Sequence, residues 1–219
     1  MLSHLTVPTG PSRFHSASRV PADHPARAEV EAFIARVYAE RYGARLHSFL
    51  PDLVAYRDQD GALQAAVGLR RGTAGPLFVE QYLQVPAEQA LRARLGRPVQ
   101  RAELVEVGGF ASRSPGDARE VIVQLTGLLH RAGVPWVLFA ATRQLRNAFD
   151  RLRLATVVLA EARADCLRDD ATDWGSYYEA QPQLLFGDIQ AGHAFLQRSR
   201  ATPAPVHERP IQACTAGAR

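Results

Sequence analysis

The sequence contains no lysine, and all 26 of its Lys/Arg positions are arginine. This absence excludes catalysis by a Schiff-base lysine and phosphate binding by a P-loop lysine. Arginine-only positive charge suits phosphate-bearing ligands, because one guanidinium can bond two phosphate oxygens. A GC-rich genome that encodes arginine in place of lysine is the simpler explanation, so the net charge of +4 does not identify a partner.

Cysteine is also scarce, since only Cys166 and Cys214 occur. Their spacing indicates neither a metal site nor a disulfide framework, which favours a reducing cytoplasm. The 7 histidines show no metal-ligand spacing, so we expect no metal. The sequence has no run of about 18 apolar residues and no signal-peptide core, so we expect neither a membrane span nor secretion. The G-x-S-x-G motif of serine hydrolases is absent too.

The 219 residues fit one domain with flexible ends. Both ends are rich in Pro, Ser, His and Arg, so we predict disordered tails over residues 1–24 and 197–219 and a folded domain over 25–196. Hydrophobic periodicity predicts a helix that ends at Gly43, a hairpin around "QDGA" and a short helix or turn at "PLFVEQYL". Strands and helices then alternate from Glu103 onward. This order predicts an α/β three-layer sandwich, with a mixed central sheet whose parallel strands lie at 103–107 and 136–141.

The stretch "ELVEVGGFASRSPGDAREV" predicts a strand, a kink at Gly108 and Gly109, and a turn into a helix. Strand alternation places Glu103 and Glu106 on opposite faces. The glycine spacing does not fit the dinucleotide fingerprint G-x-G-x-x-G. Backbone N–H groups between Ser114 and Arg119 can face an anion at the helix N-terminus, aided by Arg113 and Arg119. A solvent-exposed loop explains the same residues equally well.

The order of elements resembles the GNAT-type acyltransferases, in which the loop after a splayed strand binds the pyrophosphate of acyl-CoA. Their loop pattern, Gln/Arg-x-x-Gly-x-Gly/Ala, is met loosely by "RSPGDA". Five segments resemble the thermostable hemolysin family over most of residues 25–195: "RVYAERYG", "LFVEQYL", "AELVEVGGFAS", "WVLFAATRQLRNAFDRLRL" and "DWGSYYEAQPQ". That family is similar in layout to acyl-homoserine-lactone synthases, whose strand reads roughly Glu-x-Ser-Arg-Phe. Here "EVGGF" keeps Glu106 and Phe110 but has Gly-Gly for Ser-Arg, which argues against a lactone product.

The resemblance implies a co-substrate, either acyl-CoA or the acyl-phosphopantetheine of a carrier protein, and no metal. Backbone N–H groups of Val107 and Gly108 are expected to hold the thioester oxygen. Residues expected to contact the phosphates and the pantetheine arm are Arg113, Ser114, Gly116, Asp117, Ala118, Arg119, Arg143 and Asn147.

Glu106 is the candidate general base, because an amine must lose a proton before it attacks a thioester. Glu103 is the second candidate, since only one of the two carboxylates can face the cleft. Both glutamates also suit a surface or paired position. In "DWGSYYE", Tyr177 and Tyr178 are candidate general acids, and Asp173 and Trp174 candidate pocket residues, although aromatic residues more often pack than catalyse. Glu80 and Gln81 are candidate acceptor-binding residues, because they are polar within an apolar stretch.

The function that we expect is transfer of an acyl group to a small amine acceptor. An acyl carrier protein is the candidate protein partner; we expect no nucleic-acid partner, and a monomer or dimer. A non-catalytic GNAT-like binding module is one alternative. A hemolysin that acts on membranes is another, although a pore former needs membrane-inserting segments; a lipid-like product would reconcile the family name with an enzyme.

Overall fold

A computed structural model of the protein describes residues 12–168 and 172–201. The strands are β1 (Ser16–Val20), β2 (Asp52–Arg57), β3 (Leu63–Arg71), β4 (Leu104–Ser112), β5 (Trp136–Ala141), β6 (Val157–Glu161) and β7 (Gln183–Asp188). The helices are α1 (Arg27–Tyr42), α2 (Ala87–Leu95), α3 (Pro115–Arg131), α4 (Arg143–Arg151) and α5 (Ile189–Ala201). All the strands form one sheet in the order β1-β2-β3-β4-β5-β7-β6. Neighbouring strands are antiparallel except β4 and β5, which are parallel as predicted.

Helices cover both faces of the sheet, so the predicted three-layer sandwich is confirmed. Strand alternation separates the two cores, as β2 shows by pointing Leu53 to one face and Val54 to the other. On the first face, α1 packs over β2 and β3, and α2 packs over β4, β5 and β7. On the second face, α3 packs over the sheet through Val121, and α5 through Ile189. We call these the α1 face and the α3 face.

Glycines end or bend elements where the sequence predicted it. Gly43 takes the left-handed conformation with φ 67° and ends α1. A side chain at Gly68 would lie 2.9 Å from Leu50 Cβ and 3.2 Å from the carbonyl oxygen of Gly108. The backbone of β3 at Gly68 therefore packs closely against Leu50 and β4.

The folded domain extends beyond the predicted bounds of 25–196. Residues 16–20, predicted as part of a disordered tail, form β1, which pairs with β2. The Pro/Ser/Arg composition of this segment suggested disorder, but two of its hydrophobic residues are buried. They are Phe14, just before β1, and Val20, the last residue of β1. Helix α5 likewise continues past Leu196 to Ala201. Residues 1–11 and 202–219 lie outside the described residues, and so do the tail predictions that fall on them.

Candidate active site

A cavity opens where β4 and β5 separate. The two strands pair only from Leu104↔Trp136 to Val107↔Phe139, after which β4 continues to Ser112 without β5 beside it. The cavity at this gap has a volume of about 310 Å³. It is lined by residues of both faces, such as Glu106 and Phe78 on the α1 face and Leu125 and Leu129 on the α3 face. The cavity therefore passes through the sheet.

A bulge in β4 shapes this gap. Between the pairs Ala66↔Ala111 and Gly68↔Gly108, β3 advances by two residues and β4 by three. The extra residue is accommodated at Gly109, whose φ of 57° favours glycine. The predicted kink at the Gly-Gly pair is confirmed, although the strand continues through it where a loop was expected.

Glu106 lies on the α1 face at the start of the gap and is only 2% exposed. Its two carboxylate oxygens accept hydrogen bonds from the backbone N–H groups of Phe78 and Val79, both at 3.0 Å. Burial raises the pKa of Glu106 above its ordinary value, while those two hydrogen bonds act in the opposite direction. Each oxygen keeps a further lone pair that can accept a proton or a hydrogen bond from the cavity.

Seven aromatic rings surround the end of the cavity that holds Glu106. Their centroids form a continuous series of contacts between 5.2 and 6.5 Å. We call this the aromatic cluster; it consists of Tyr38, Tyr42, Phe78, Tyr82, Trp174, Tyr177 and Tyr178, and all but Tyr178 line the cavity. It contains every tyrosine of the chain except Tyr56, which lies in the core of the α3 face.

The backbone holds the two halves of the aromatic cluster together. Ser176 donates its backbone N–H to the carbonyl of Tyr42 at 2.8 Å, which attaches the segment after Asp173 to the end of α1. A side chain at Gly175 would lie 2.1 Å from the same carbonyl oxygen, so only glycine fits there. This attachment brings Trp174 and Tyr177 over the cavity.

Two phenols of the cluster form a hydrogen-bonded pair, with the hydroxyls of Tyr82 and Tyr178 2.6 Å apart. Burial raises the pKa of Tyr82 and that of Tyr177 well above the ordinary tyrosine value. A thiol has a pKa of about 8.5, so a departing thiolate is too weak a base to deprotonate these phenols. Tyr82 and Tyr177 are therefore suited to donate hydrogen bonds, and Tyr177 is less suited to its predicted general-acid role.

Positive charge lies at the other end of β4. Arg41 of α1 donates a hydrogen bond to the carbonyl of Ser112 at 3.3 Å, and both Arg41 and Arg119 line the cavity. Helix α3 begins beside them, and its positive dipole end adds to their field. This end of the cavity is suited to bind an anionic group.

The part of the cavity on the α3 face is apolar. Ile122, Leu125 and Leu129 of α3 line it, together with Val137 and Phe139 of β5 and Ala148 and Phe149 of α4. Phe149 stacks on Phe139 at 4.8 Å. We call this part the apolar chamber, and hydrocarbon is the ligand that it suits.

Eight of the predicted site residues line the cavity: Glu106, Val107, Gly108, Ala118, Arg119, Asn147, Trp174 and Tyr177. Tyr178 takes part through its bond to Tyr82. The face of β4 predicted for Glu106 is also correct. The other predicted residues do not line the cavity, and most of them make hydrogen bonds or ion pairs with neighbouring residues.

Glu103 does not reach the cavity, because it belongs to a short 3-10 helix, Arg101–Glu103, that precedes β4. Its carboxylate caps that turn by accepting the backbone N–H of Gln100 at 2.6 Å. Arg143 is exposed at the start of α4 and does not line the cavity, whereas Asn147, one turn later, lines it.

The predicted phosphate loop is only partly directed at the cavity. Arg113 turns back to donate to the carbonyl of Leu63 at 2.9 Å. Ser114 caps α3 by accepting the backbone N–H of Asp117, and Asp117 forms an ion pair with Arg13 at 3.2 Å. The Arg13 guanidinium also covers Gly116, where a side chain would lie 2.6 Å from it. Helical periodicity leaves Ala118 and Arg119 on the cavity side.

Glu80 and Gln81 have structural roles in place of the predicted acceptor-binding role. The Glu80 carboxylate forms a two-bond ion pair with Arg101, at 2.6 and 2.8 Å, and accepts the backbone N–H groups of Leu77 and Ala87. These contacts lower the pKa of Glu80 to about 2. Gln81 accepts the backbone N–H of Arg168. Asp173 accepts that of Gly175 and forms the turn beside Trp174.

The cavity residues that sequence reasoning missed include Tyr38, Arg41, Tyr42, Phe78 and Tyr82. The periodicity assigned Tyr38 and Tyr42 to the buried stripe of α1, which explains why no site role was assigned. A signal was nevertheless present, because the tyrosines of "VYAERY" flank an arginine at the C-terminal end of a helix.

None of the helices that the structure describes is long and apolar enough to cross a membrane. Residues 20–193 match the family described as "Thermostable hemolysin", which confirms the resemblance seen in the sequence segments. No curated protein is significantly similar to the chain in sequence.

Several solved structures share the fold. FeeM, an N-acyl amino acid synthase from uncultured soil microbes, superposes with a TM-score of 0.58 at 11% identity, over 85% of this chain and 99% of that chain. The acyl-homoserine lactone synthase LasI gives 0.54 at 13% identity, over 79% and 89%. BjaI, a CoA-dependent acyl-homoserine lactone synthase with SAM and isopentyl-CoA, gives 0.54 at 11% identity, over 85% and 89%. The predicted GNAT-like fold, shared with acyl-homoserine-lactone synthases, is confirmed.

Proposed function

The chain belongs to the thermostable hemolysin family, and from its cavity we propose that it is an acyltransferase. The donor is a thioester of CoA or of an acyl carrier protein, and the acceptor is a small amine. The observation that carries this proposal is the passage through the sheet, with a buried carboxylate on the α1 face and an apolar chamber on the α3 face. That arrangement separates the two substrates of an acyl transfer on either side of one strand.

The donor fits along β4. Phosphates of CoA or phosphopantetheine lie beside Arg41 and Arg119, the guanidinium groups at the Ser112 end of the cavity. The thioester then reaches the gap at Val107 and Gly108, where Val107 is the last residue of β4 that pairs with β5. The acyl chain extends into the apolar chamber. The structure of BjaI, a CoA-dependent acyl-homoserine lactone synthase with SAM and isopentyl-CoA, supports a thioester donor.

The chemistry is attack of the amine nitrogen on the thioester carbonyl. A C–N bond forms, the C–S bond breaks, and Glu106 accepts the proton that the amine releases. The thiolate leaves as the free thiol after it takes up a proton from solvent. A buried carboxylate with a raised pKa is suited to this base role, because its proton affinity lies closer to that of the amine.

The test is an assay of free thiol release with a panel of acyl-CoA and acyl-carrier thioesters and amines. We expect release with at least one pair, and a loss of about a hundredfold or more in Glu106→Gln. Glu103→Gln is the matched control, because Glu103 lies just outside the same strand, and this variant should keep full activity. Equal activity of Glu106→Gln and wild type would refute the base assignment.

A non-catalytic binding module is the second candidate. It is favoured by one observation, namely that both oxygens of Glu106 already accept backbone hydrogen bonds. In that case Glu106 would serve only to hold the segment at Phe78. Binding of acyl-CoA without thiol release for any amine would support this candidate and refute the enzyme.

A further inference from the structure

The end of the cavity beside Glu106 combines aromatic faces with negative charge. Among the described residues that line the cavity, Glu106 is the only acid, and Phe78, Tyr82 and Trp174 lie around it. Phe78 packs against Trp174 with ring centroids 5.8 Å apart and against Tyr82 at 6.1 Å. The Phe78 backbone N–H is itself bonded to the carboxylate, which fixes the ring next to the charge.

The charges of the cavity are separated along β4. Glu106 and Ser112 are six residues apart, which corresponds to about 20 Å in a strand. Arg41 is bonded to Ser112, so its positive charge lies far from the carboxylate. Arg70 of β3 is the cross-strand partner of Glu106, but its guanidinium donates to the carbonyl of Pro76 and does not line the cavity. A ligand at the Glu106 end therefore meets the carboxylate and the ring faces directly.

We propose that this end of the cavity is an aromatic cage that binds the acceptor as an organic ammonium ion. The ring faces attract the cation through their quadrupoles, and tryptophan gives the strongest such attraction. Glu106 neutralises the ammonium and holds its N–H toward the gap between β4 and β5. The identification of this cation as the acceptor rests on the proposed acyltransferase function.

The carboxylate distinguishes a cage from an ordinary apolar pocket. A purely apolar acceptor would gain nothing from a charge that is 2% exposed, because burying an unpaired carboxylate is costly. Two backbone N–H groups and the nearby charge of Arg70 compensate Glu106 only in part, and a bound cation completes the compensation. Glu179 does not compete with Glu106 for the bound cation, because Glu179 is exposed and lies outside the cavity lining.

The experiment measures binding without any donor, by titration calorimetry of the full chain. Benzyltrimethylammonium is the first probe, because it is cationic and has no N–H to acylate. Benzylamine is the second, and benzyl alcohol is the uncharged control of similar shape. We expect both cations to bind at least about tenfold tighter than the alcohol.

Two variants locate the binding. Trp174→Leu removes a ring of the cage, and Glu106→Gln removes the charge; each should weaken cation binding about tenfold while the alcohol is unaffected. The matched controls are Phe195→Leu, a half-buried ring on α5, and Glu179→Gln, both of which should bind as wild type does. Trp174→Phe should give an intermediate affinity, and it keeps the test valid if Trp174→Leu fails to fold.

The outcomes separate this proposal from the enzymatic one. Equal binding of cations and alcohol would overturn the cage, and so would equal losses in Glu106→Gln and Glu179→Gln. Cation binding that persists without thiol release for any donor would keep the cage and refute the acyltransferase. Thiol release without selective cation binding would support the acyltransferase and refute the cage.

Discussion

The segment that forms the wall of the cavity beside Glu106 depends on the ion pair between Glu80 and Arg101. Arg101 uses all of its N–H groups: it donates to both oxygens of Glu80, to Glu88, and to the carbonyls of Gly72 and Gly75. Glu80 in turn accepts the backbone N–H groups of Leu77, just before the short helix Phe78–Tyr82, and of Ala87, the first residue of α2. We therefore predict that Glu80→Gln destabilises the fold in a pH-dependent way.

The magnitude follows from the pKa. A fall in the pKa of Glu80 from 4.5 to about 2 corresponds to about 3 kcal/mol of unfolding free energy at neutral pH. The pair is partly exposed, with side-chain exposures of 28% for Arg101 and 17% for Glu80, so screening reduces the expected value to about 2 kcal/mol. Because the pKa is lowered in the folded state, this contribution is complete above the unfolded pKa. It is lost as the pH falls from about 4.5 toward about 2.

Urea denaturation of wild type and Glu80→Gln, repeated from neutral pH down to about pH 3, measures the difference. We expect about 2 kcal/mol at neutral pH and a steady decrease below about pH 4.5. Glu29→Gln is the control, since its ion pair with Arg57 is equally short but Glu29 is 55% exposed. That variant should lose less than about 1 kcal/mol. A difference for Glu80→Gln that is absent, or that stays constant with pH, would refute the reasoning.

Three further predictions test the cavity. Ala148→Phe should fill the apolar chamber and shift donor preference from octanoyl-CoA toward acetyl-CoA by about tenfold or more in kcat/KM. An unchanged preference would contradict binding of the acyl chain in the chamber. Arg119→Ala should raise KM for acyl-CoA about tenfold with little change in kcat. Arg113→Ala is the control and should leave KM unchanged, because the Arg113 side chain bonds to the carbonyl of Leu63. Equal effects of the two variants in steady-state kinetics would contradict the role of Arg119 in phosphate binding. Gly109→Ala should lower the free energy of unfolding by about 1–2 kcal/mol because φ is positive there, and Gly109→Asn by less; equal losses in urea denaturation would contradict this.

Periodic patterns in the sequence predicted the local elements well. The stripe of α1 ends at a glycine, and the apolar run of β5 is typical of a buried parallel strand, so both followed from short-range signals. These predictions succeed because helix and strand periods act over a few residues.

Elements defined by distant pairing were not predictable in the same way. Strand β7, "QLLFGD", has too few apolar residues to indicate a strand, and it exists because it fits between β5 and β6. Strand β1 depends on β2 in the same manner. In both cases the stabilising contacts come from residues far away in the chain.

The arginines proposed to contact phosphate show the same limit. Proximity in sequence favoured Arg113, which instead bonds to the end of β3. Arg41, 71 residues before Ser112, reaches the end of β4 because α1 crosses it. Glu80 was misassigned for a related reason, since its partner Arg101 lies 21 residues away.

A single extra residue in β4 links the two halves of the cavity. Side chains placed at Gly108 and Gly109 would both point to the α1 face, toward Leu50 and Ile34 respectively. Alternation therefore restarts one residue later, which directs Phe110 to the α3 face and Ala111 beneath α1. Without the bulge, Phe110 would project among the rings near Tyr38, and the apolar chamber would lose one wall. The Gly-Gly pair thus lies where the gap between β4 and β5 begins, and it keeps the large side chain of Phe110 out of the Glu106 end of the cavity.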